Sequence, residues 1–211
     1  MKLLAISDVH SSSSKLKLLL ERESFDAVFL AGDISNGDME DVRKILGYIK
    51  DFNENVFFVP GNMDPAPLLE IRELEGCLNL HRNKAYLRGY SIGGVGGGLI
   101  SPFMTRIEFT EEELSLMLEE LGKVDLLLSH TPPFDSGLDR IRSGLSVGSK
   151  SLKYYIEREA PLLCVCGHIH ESRGIERIKN TLAINPGPLS RGNYAIVDLE
   201  GEEVNSRLLN L

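Results

Sequence analysis

Four of the chain's five histidines fall in short clusters with Asp or Asn: Asp8-Val9-His10, Gly32-Asp33, Gly61-Asn62-Met63-Asp64, Ser129-His130 and Gly167-His168-Ile169-His170. Carboxylate, amide oxygen and imidazole are the donors that borderline divalent ions such as Mn, Fe, Co, Ni or Zn accept. None of the clusters carries a thiolate, which argues against a structural zinc knot. The donors suffice for two ions, and a metal pair with open positions is suited to hydrolysis of phosphate esters.

Singly, each cluster has a plain structural reading. Asp8-Val9-His10 could be a strand end with a hydrogen-bonded histidine, Gly32-Asp33 is a common strand-to-turn signal, and Asn62 could be a turn residue. His168 and His170, at spacing two, form a more specific pair. The ordered combination, each cluster after an apolar run, favours a metal site over coincidence. His81 has no such context and reads as a surface residue.

These residues need elements to bring them together. Lys2 to Ile6, Ala27 to Leu30 and Val56 to Val59 read as buried strands, alternating with helical periodicity over Lys15–Glu23 and Asp41–Ile49. Strand–helix alternation predicts parallel strands with crossover helices. In such sheets ligands collect beyond the carboxyl ends of the strands, where all five clusters fall.

Asp64-Pro65 is expected to open a helix through about Glu73, with Asp64 as its cap. Short strands follow over Leu78–Gly98, and Gly93–Gly98 reads as a tight loop near a site or interface. Thr110-Glu111-Glu112-Glu113 is a capping box for a helix ending near Gly122. Val124–Leu128 is an apolar strand, Phe134–Gly148 a surface loop and Ser149–Glu159 a helix. Strands at Leu163–Cys166, near Ser172–Glu176, Leu182–Ile184, Tyr194–Leu199 and Val204–Leu209 complete the chain, the last two as a hairpin turning at Glu200-Gly201-Glu202.

A length of 211 residues with no repeat or linker predicts one domain over 1–211. No apolar stretch is long enough to span a bilayer, and Ser7-Asp8 ends the first apolar run before a signal-peptide core forms, so the expected location is cytoplasmic with no membrane partner. The formal charge of -8 argues against a long nucleic-acid partner, which would need a basic stripe. It leaves room for a small phosphoester, including a nucleotide, because bound cations would supply positive charge locally. Three cysteines make no disulfide framework. Cys164 and Cys166 share a strand face and read as core residues rather than ligands. Leu99-Ile100-Ser101-Pro102-Phe103-Met104 could be a lid or a contact in a homo-oligomer, with ordinary core packing the preferred reading.

Taken in order, D-x-H, G-D, G-N-x-D, a lone His and G-H-x-H resemble the calcineurin-like metallophosphoesterases, over most of the chain from Asp8 to Asn185-Pro186-Gly187. The resemblance implies an α/β fold, a four-layer α/β/β/α sandwich of two mixed sheets flanked by helices, with two divalent metals at one edge. It implies one metal on Asp8, His10, Asp33 and His170, and another on Asp33, Asn62, His130 and His168, with Asp33 bridging. Manganese is the favoured ion, with Fe, Zn, Co or Ni as alternatives. Asp33, Asn62 and His130 are expected to serve catalysis, and Asn62 with Arg191 to hold substrate. Arg106, Arg140 and Arg142 are further candidates for gripping a phosphate or ribose.

By the same resemblance, a hydroxide shared by the metals attacks phosphorus in line, and position 63 is commonly a histidine that assists the leaving group. General acids contribute about 10²–10⁴-fold, so Met63 predicts slow or selective turnover. Asp64 would orient that histidine in the family; here capping is at least as good a role. The expected function is a phosphodiesterase. The alternatives are a phosphomonoesterase acting on nucleotides or phosphoproteins, or a metal-bound binding or scaffold protein.

Overall fold

The computed structural model describes residues 1–211. The chain opens with β1 (Lys2–Ile6), α1 (Ser13–Arg22), β2 (Ala27–Ala31), α2 (Met39–Phe52) and β3 (Val56–Val59). Short strands follow: β4 (Glu73–Leu74), β5 (Cys77–Asn79), β6 (Lys84–Leu87), β7 (Tyr90–Val95), β8 (Gly98–Leu99) and β9 (Glu108–Phe109). Then come α3 (Glu111–Leu121), β10 (Leu126–Ser129), α4 (Lys150–Glu159) and β11 (Leu163–Val165). The chain closes with β12 (Gly174–Ile178), β13 (Thr181–Asn185), β14 (Asn193–Glu200) and β15 (Glu203–Asn210).

Two mixed sheets result, ordered β15-β14-β1-β2-β3-β5-β4 and β12-β13-β11-β10-β7-β6. β1, β2 and β3 run parallel, as do β7, β10 and β11. Strand alternation divides the apolar side chains among three cores. Leu4, Ile6, Val28 and Leu30 face α1 and α2, meeting Leu16, Leu19, Ile45 and Ile49. Their neighbours Leu3, Ala5 and Phe29 face the other way and meet Leu126, Leu128 and Val165 of the second sheet. Leu127, Cys164 and Ala183 face α3 and α4, against Leu118, Leu121, Tyr155 and Ile156. The layers are therefore α/β/β/α, as expected. Sheets buried on both faces produce uninterrupted apolar runs, which is why these strands stand out in the sequence. Phe29 and Phe57 meet edge to face in the middle layer at 5.8 Å, a pairing worth about 0.5–1.5 kcal/mol beyond its buried area.

The helix ends follow local chemistry. Thr110 and Glu113 form the expected capping box of α3, and Gly122 ends it at φ 57°. Ser149 caps α4 through Leu152 N–H. The Glu111 carboxylate also accepts from Ser149 Oγ, Lys150 N–H and Ser151 N–H, so the first residue of α3 ties down the start of α4.

Four expectations need correction. The helix from Pro65 to Glu73 is only one turn of 3-10 helix, Ala66–Leu69, followed by β4. Pro65 and Pro67 withhold donors, and Pro65 is itself extended at ψ 129°. Gly93–Val95 belong to β7, and only Gly96 and Gly97 turn before β8. His81 is buried rather than superficial: Nδ1 accepts Gly96 N–H at 2.9 Å and the ring stacks on Phe109. Of the Leu99–Met104 loop only Leu99 packs against the core, since Ile100, Phe103 and Met104 are exposed. Cys164 and Cys166 are fully buried core residues, as expected. No helix is long and apolar enough to cross a membrane.

Candidate metal centre

The five clusters sit at the carboxyl ends of β1, β2, β3, β10 and β11, the first three in one sheet and the last two in the other. The loops that carry them are zipped together. Asp8 N–H donates to Gly32 C=O, His10 N–H to Asp33 C=O, and Gly167 N–H to His130 C=O. Two glycines permit the approach: a Cβ on Gly32 would strike the His130 ring, and one on Gly61 would strike Asp33. Asp8, His10, Asp33 and His168 all adopt positive φ, 47–68°. Non-glycine residues are uncommon there, and strain of this kind gathers at functional sites.

Asp8, Asp33, Asn62 and His130 are buried, while His10, His168 and His170 are half-buried. His170 Nε2 lies 3.2 Å from Asp8 Oδ1 and 3.3 Å from His10 Nε2. Asp33 reaches both ways: Oδ2 is 3.8 Å from His10 Nε2, and Oδ1 is 3.5 Å from His130 Nε2. His130 Nε2 is 2.9 Å from Asn62 Oδ1. The ring of His168 stands edge-on to that of His130, 4.9 Å between centroids, and its backbone N–H points at the Asp8 carboxylate. Two sets, Asp8-His10-His170 and Asp8-Asp33-His130, have donor atoms close enough to share an ion.

Outer contacts fix the rings. His10 Nδ1 is 2.9 Å from Asn36 Oδ1, and His130 Nδ1 is 2.9 Å from the Ala31 carbonyl. Each contact spends Nδ1 on an anchor and turns Nε2 inward, the orientation that metal-ligating histidines need. Asn36 and the Ala31 carbonyl carry no sequence signal, because only the fold brings them to those rings.

The charges are arranged to welcome cations. Burial opposes ionisation of Asp8, but the hydrogen bond from His170 and the charges of His130 and His170 outweigh it, holding the carboxyl at about 2. Asp33 is pushed up by burial, with His130 offsetting part and Asp8 adding like-charge repulsion. Burial also works against protonation of His130, yet Asp33 and Asp8 raise it overall. His170 is raised chiefly by its hydrogen bond to Asp8. His168 falls to about 3 through desolvation and the nearby charge of His130, keeping its ring neutral and ready to ligate. His130 and His170 stand on the sides of Asp8 and Asp33 that a cation would take, and the donor set fits divalent ions.

Asp64 does not cap a helix. It is fully buried; Oδ2 accepts Gly61 N–H at 2.8 Å and Ile34 N–H at 3.1 Å, and Oδ1 accepts Ser35 N–H at 2.8 Å. It thus fastens the loop bearing Asn62 to the loop bearing Asp33. Burial and the charge of Asp33 raise its carboxyl to about 6, against the pull of those donors. Met63 is half-buried, and its N–H donates to Asp33 Oδ1 at 2.8 Å. Of the arginines, exposed Arg106 reaches the Met63 carbonyl through Nη1 at 3.4 Å. Exposed Arg191 lies close enough for its charge to press on His170. Arg140 instead faces Asp135 at 3.5 Å, and Arg142 projects outward.

Residues 1–202 match the calcineurin-like phosphoesterase superfamily domain. An uncharacterized protein of Methanocaldococcus jannaschii is 35% identical over 201 residues, covering 90% of this chain and 89% of that protein. A Thermus thermophilus structure aligns over 98% of this chain and 97% of that one, with a TM-score of 0.75 at 21% identity. GAP50, the anchor in the inner membrane complex of Plasmodium, aligns over 100% of this chain and 84% of its own, with a TM-score of 0.63 at 12% identity. A Streptococcus pneumoniae protein described as a predicted phosphoesterase covers 99% of this chain and 88% of its own, with a TM-score of 0.52 at 18% identity. At these identities the three structures share the fold alone.

Proposed function

The chain belongs to the calcineurin-like phosphoesterase superfamily, and on that premise we propose that it is a phosphodiesterase working with two divalent cations, manganese favoured over Fe, Zn, Co or Ni. The observation that carries this reading is the two-sided reach of Asp33, whose oxygens face His10 on one side and His130 on the other. One set would comprise Asp8, His10, Asp33 and His170, the other Asp33, Asn62, His130 and His168. Bound there, the cations would act as Lewis acids and make water a competent nucleophile near neutral pH.

The protein's own groups do the rest. Asp33 fixes the spacing of the two sets and is itself oriented by Met63 N–H. His130, pinned by the Ala31 carbonyl, and Asn62 face each other and orient an incoming phosphoryl group. Arg191, on the rim beside His170, adds positive charge for a phosphate oxygen. No side chain at position 63 can protonate the departing alcohol, so esters whose alkoxides leave without help are favoured.

The test compares bis-(4-nitrophenyl) phosphate with 4-nitrophenyl phosphate, manganese present and then chelated, in the wild type and in Asn62→Ala. Manganese-dependent cleavage of the diester above the monoester, lost in the variant, supports the reading. Monoester cleavage above diester makes it a phosphomonoesterase. Two manganese ions bound with no cleavage of either ester point to a binding protein.

A further inference from the structure

Four of the exposed large apolar side chains gather at one place, while Leu18, Phe52, Tyr86, Leu116 and Tyr154 lie elsewhere on the surface. Ile100, Phe103, Met104 and Leu145 are 61–85% exposed, and all lie on two loops that flank the metal centre. Between those loops is a cavity of about 570 Å³, with Leu99, Ile100, Phe103, Ile141, Leu145 and Val147 in its walls. Asn62 and His168, both in the proposed ligand sets, also line it, so the cavity opens onto the place where phosphorus would sit.

The walls are built. β8 pairs with β9 at the base of the first loop. Glu108 accepts from Ser101 Oγ, Thr105 N–H and Thr105 Oγ1, bracing that loop from inside. Arg106 N–H and Ile107 N–H both donate to the Asn62 carbonyl, tying the wall to the ligand loop. Opposite, Ile141 N–H donates to the Leu145 carbonyl, and Arg142 N–H donates to Glu171 Oε1. The cavity is therefore a preformed slot, of the size usual for small-molecule sites.

Away from the ligands Asn62 and His168, most polar groups of the lining are already engaged, one exposed oxygen of Glu171 at the rim excepted. Ser101 Oγ serves Glu108, Thr131 Oγ1 donates to the Gly97 carbonyl, and Glu171 accepts from Arg142. No Lys or Arg lines the cavity. A nucleobase would find few partners for its hydrogen bonds there, and a second phosphate would find no cation. Hydrocarbon would lose nothing and would leave water.

Resting on the phosphoester reading above, we propose that this cavity seats the hydrocarbon part of the substrate, which is a phosphate ester of an apolar alcohol rather than a nucleotide. Hydrolysis breaks the P–O bond to one alcohol, forms a P–O bond to water, and passes the water's proton to the departing alkoxide.

Binding of n-alkylphosphonates, methyl to octyl, to the manganese-loaded protein by titration calorimetry tests this, beside adenosine monophosphate. The expected result is affinity rising up to about fourfold per methylene through the middle of the series. The double variant Phe103→Ser, Leu145→Ser should flatten that slope; both side chains are mostly exposed, so the fold is not at risk. Adenosine monophosphate should bind no better than methylphosphonate. A flat series with methylphosphonate still bound, or a gradient that the variant leaves intact, overturns the proposal while sparing the phosphoester reading. If no phosphonate binds and neither nitrophenyl ester is cleaved, both fall. A concentration-dependent dimer abolished by the double variant and untouched by octylphosphonate would assign the apolar walls to a second copy, and that too overturns it.

Discussion

Removing the Asp64 carboxylate tests whether it fastens two ligand loops or merely ends a helix. In Asp64→Ala, three buried N–H groups, of Gly61, Ile34 and Ser35, lose their acceptor. Each unsatisfied buried donor costs about 1–3 kcal/mol, so the sum is about 3–9 kcal/mol. Water entering the vacated space and relief of a buried charge beside Asp33 place the expected loss near the low end, about 4 kcal/mol. Asp64→Asn keeps one acceptor oxygen and should lose about half of that. The loosened loops carry Asp33 and Asn62, so manganese affinity should fall about 10–100-fold, as when outer contacts of metal ligands are cut. Urea denaturation of the metal-free protein gives the first quantity and titration calorimetry the second. A simple cap would cost about 1 kcal/mol and leave metal binding alone. That pair of results in Asp64→Ala would refute the reasoning.

Three further outcomes follow from other parts of the structure. His81 is held at about 4 instead of 6.5 by burial and by the nearby charge of Arg82, and its Nδ1 accepts Gly96 N–H. A depressed histidine costs nothing above the unfolded value and loses stability as pH falls from 6.5 toward 4, by about 3 kcal/mol in all. His81→Gln should therefore show a shallower decline between pH 7 and 4 in urea melts, and equal slopes would contradict the assignment. Met63→His should raise turnover of alkyl esters by about 10-fold or more and that of aryl esters much less; equal gains would mean that position 63 does not face the leaving group. Gly61→Ala drives a methyl into Asp33. It should weaken manganese binding at least about 10-fold, and an unaltered isotherm would show that the loop can yield.

The parts legible in the sequence are those set by local chemistry or by burial on two faces. β1, β2, β3, β10 and β11 announce themselves because each is apolar but for Lys2 and Ser129 at the ends of β1 and β10, and the ligands follow soon after. The capping box at Thr110 needs only four residues to be read. Asp64 is opaque because its partners Ile34 and Ser35 are about thirty residues away, and a cap and a tether use the same carboxylate. His81 reads as superficial because nothing near it in sequence names Gly96 or Phe109 as partners. The helix expected after Pro65 stops after one turn because the chain passes into β4, which pairs with β5. The loop from Leu99 to Met104 is apolar like a core segment, and only the fold reveals that past Leu99 it stands beside the metal centre with no core to enter.

The metal centre is assembled from residues as distant as Asp8 and His168, 160 positions apart, and from two different sheets. Contacts of that separation form late, since loop closure must be met before they reward the chain. The last third of the chain must also be in place. β14 inserts beside β1, and the 3-10 turn ahead of it donates from Leu189 N–H and Ser190 N–H to the carbonyls of Ser7 and Asp8. Metal capture at this candidate centre would thus signal finished folding: a chain stalled with either sheet unformed holds at most part of a set of ligands. Only a correctly closed copy could hold a divalent cation with the full set of candidate ligands.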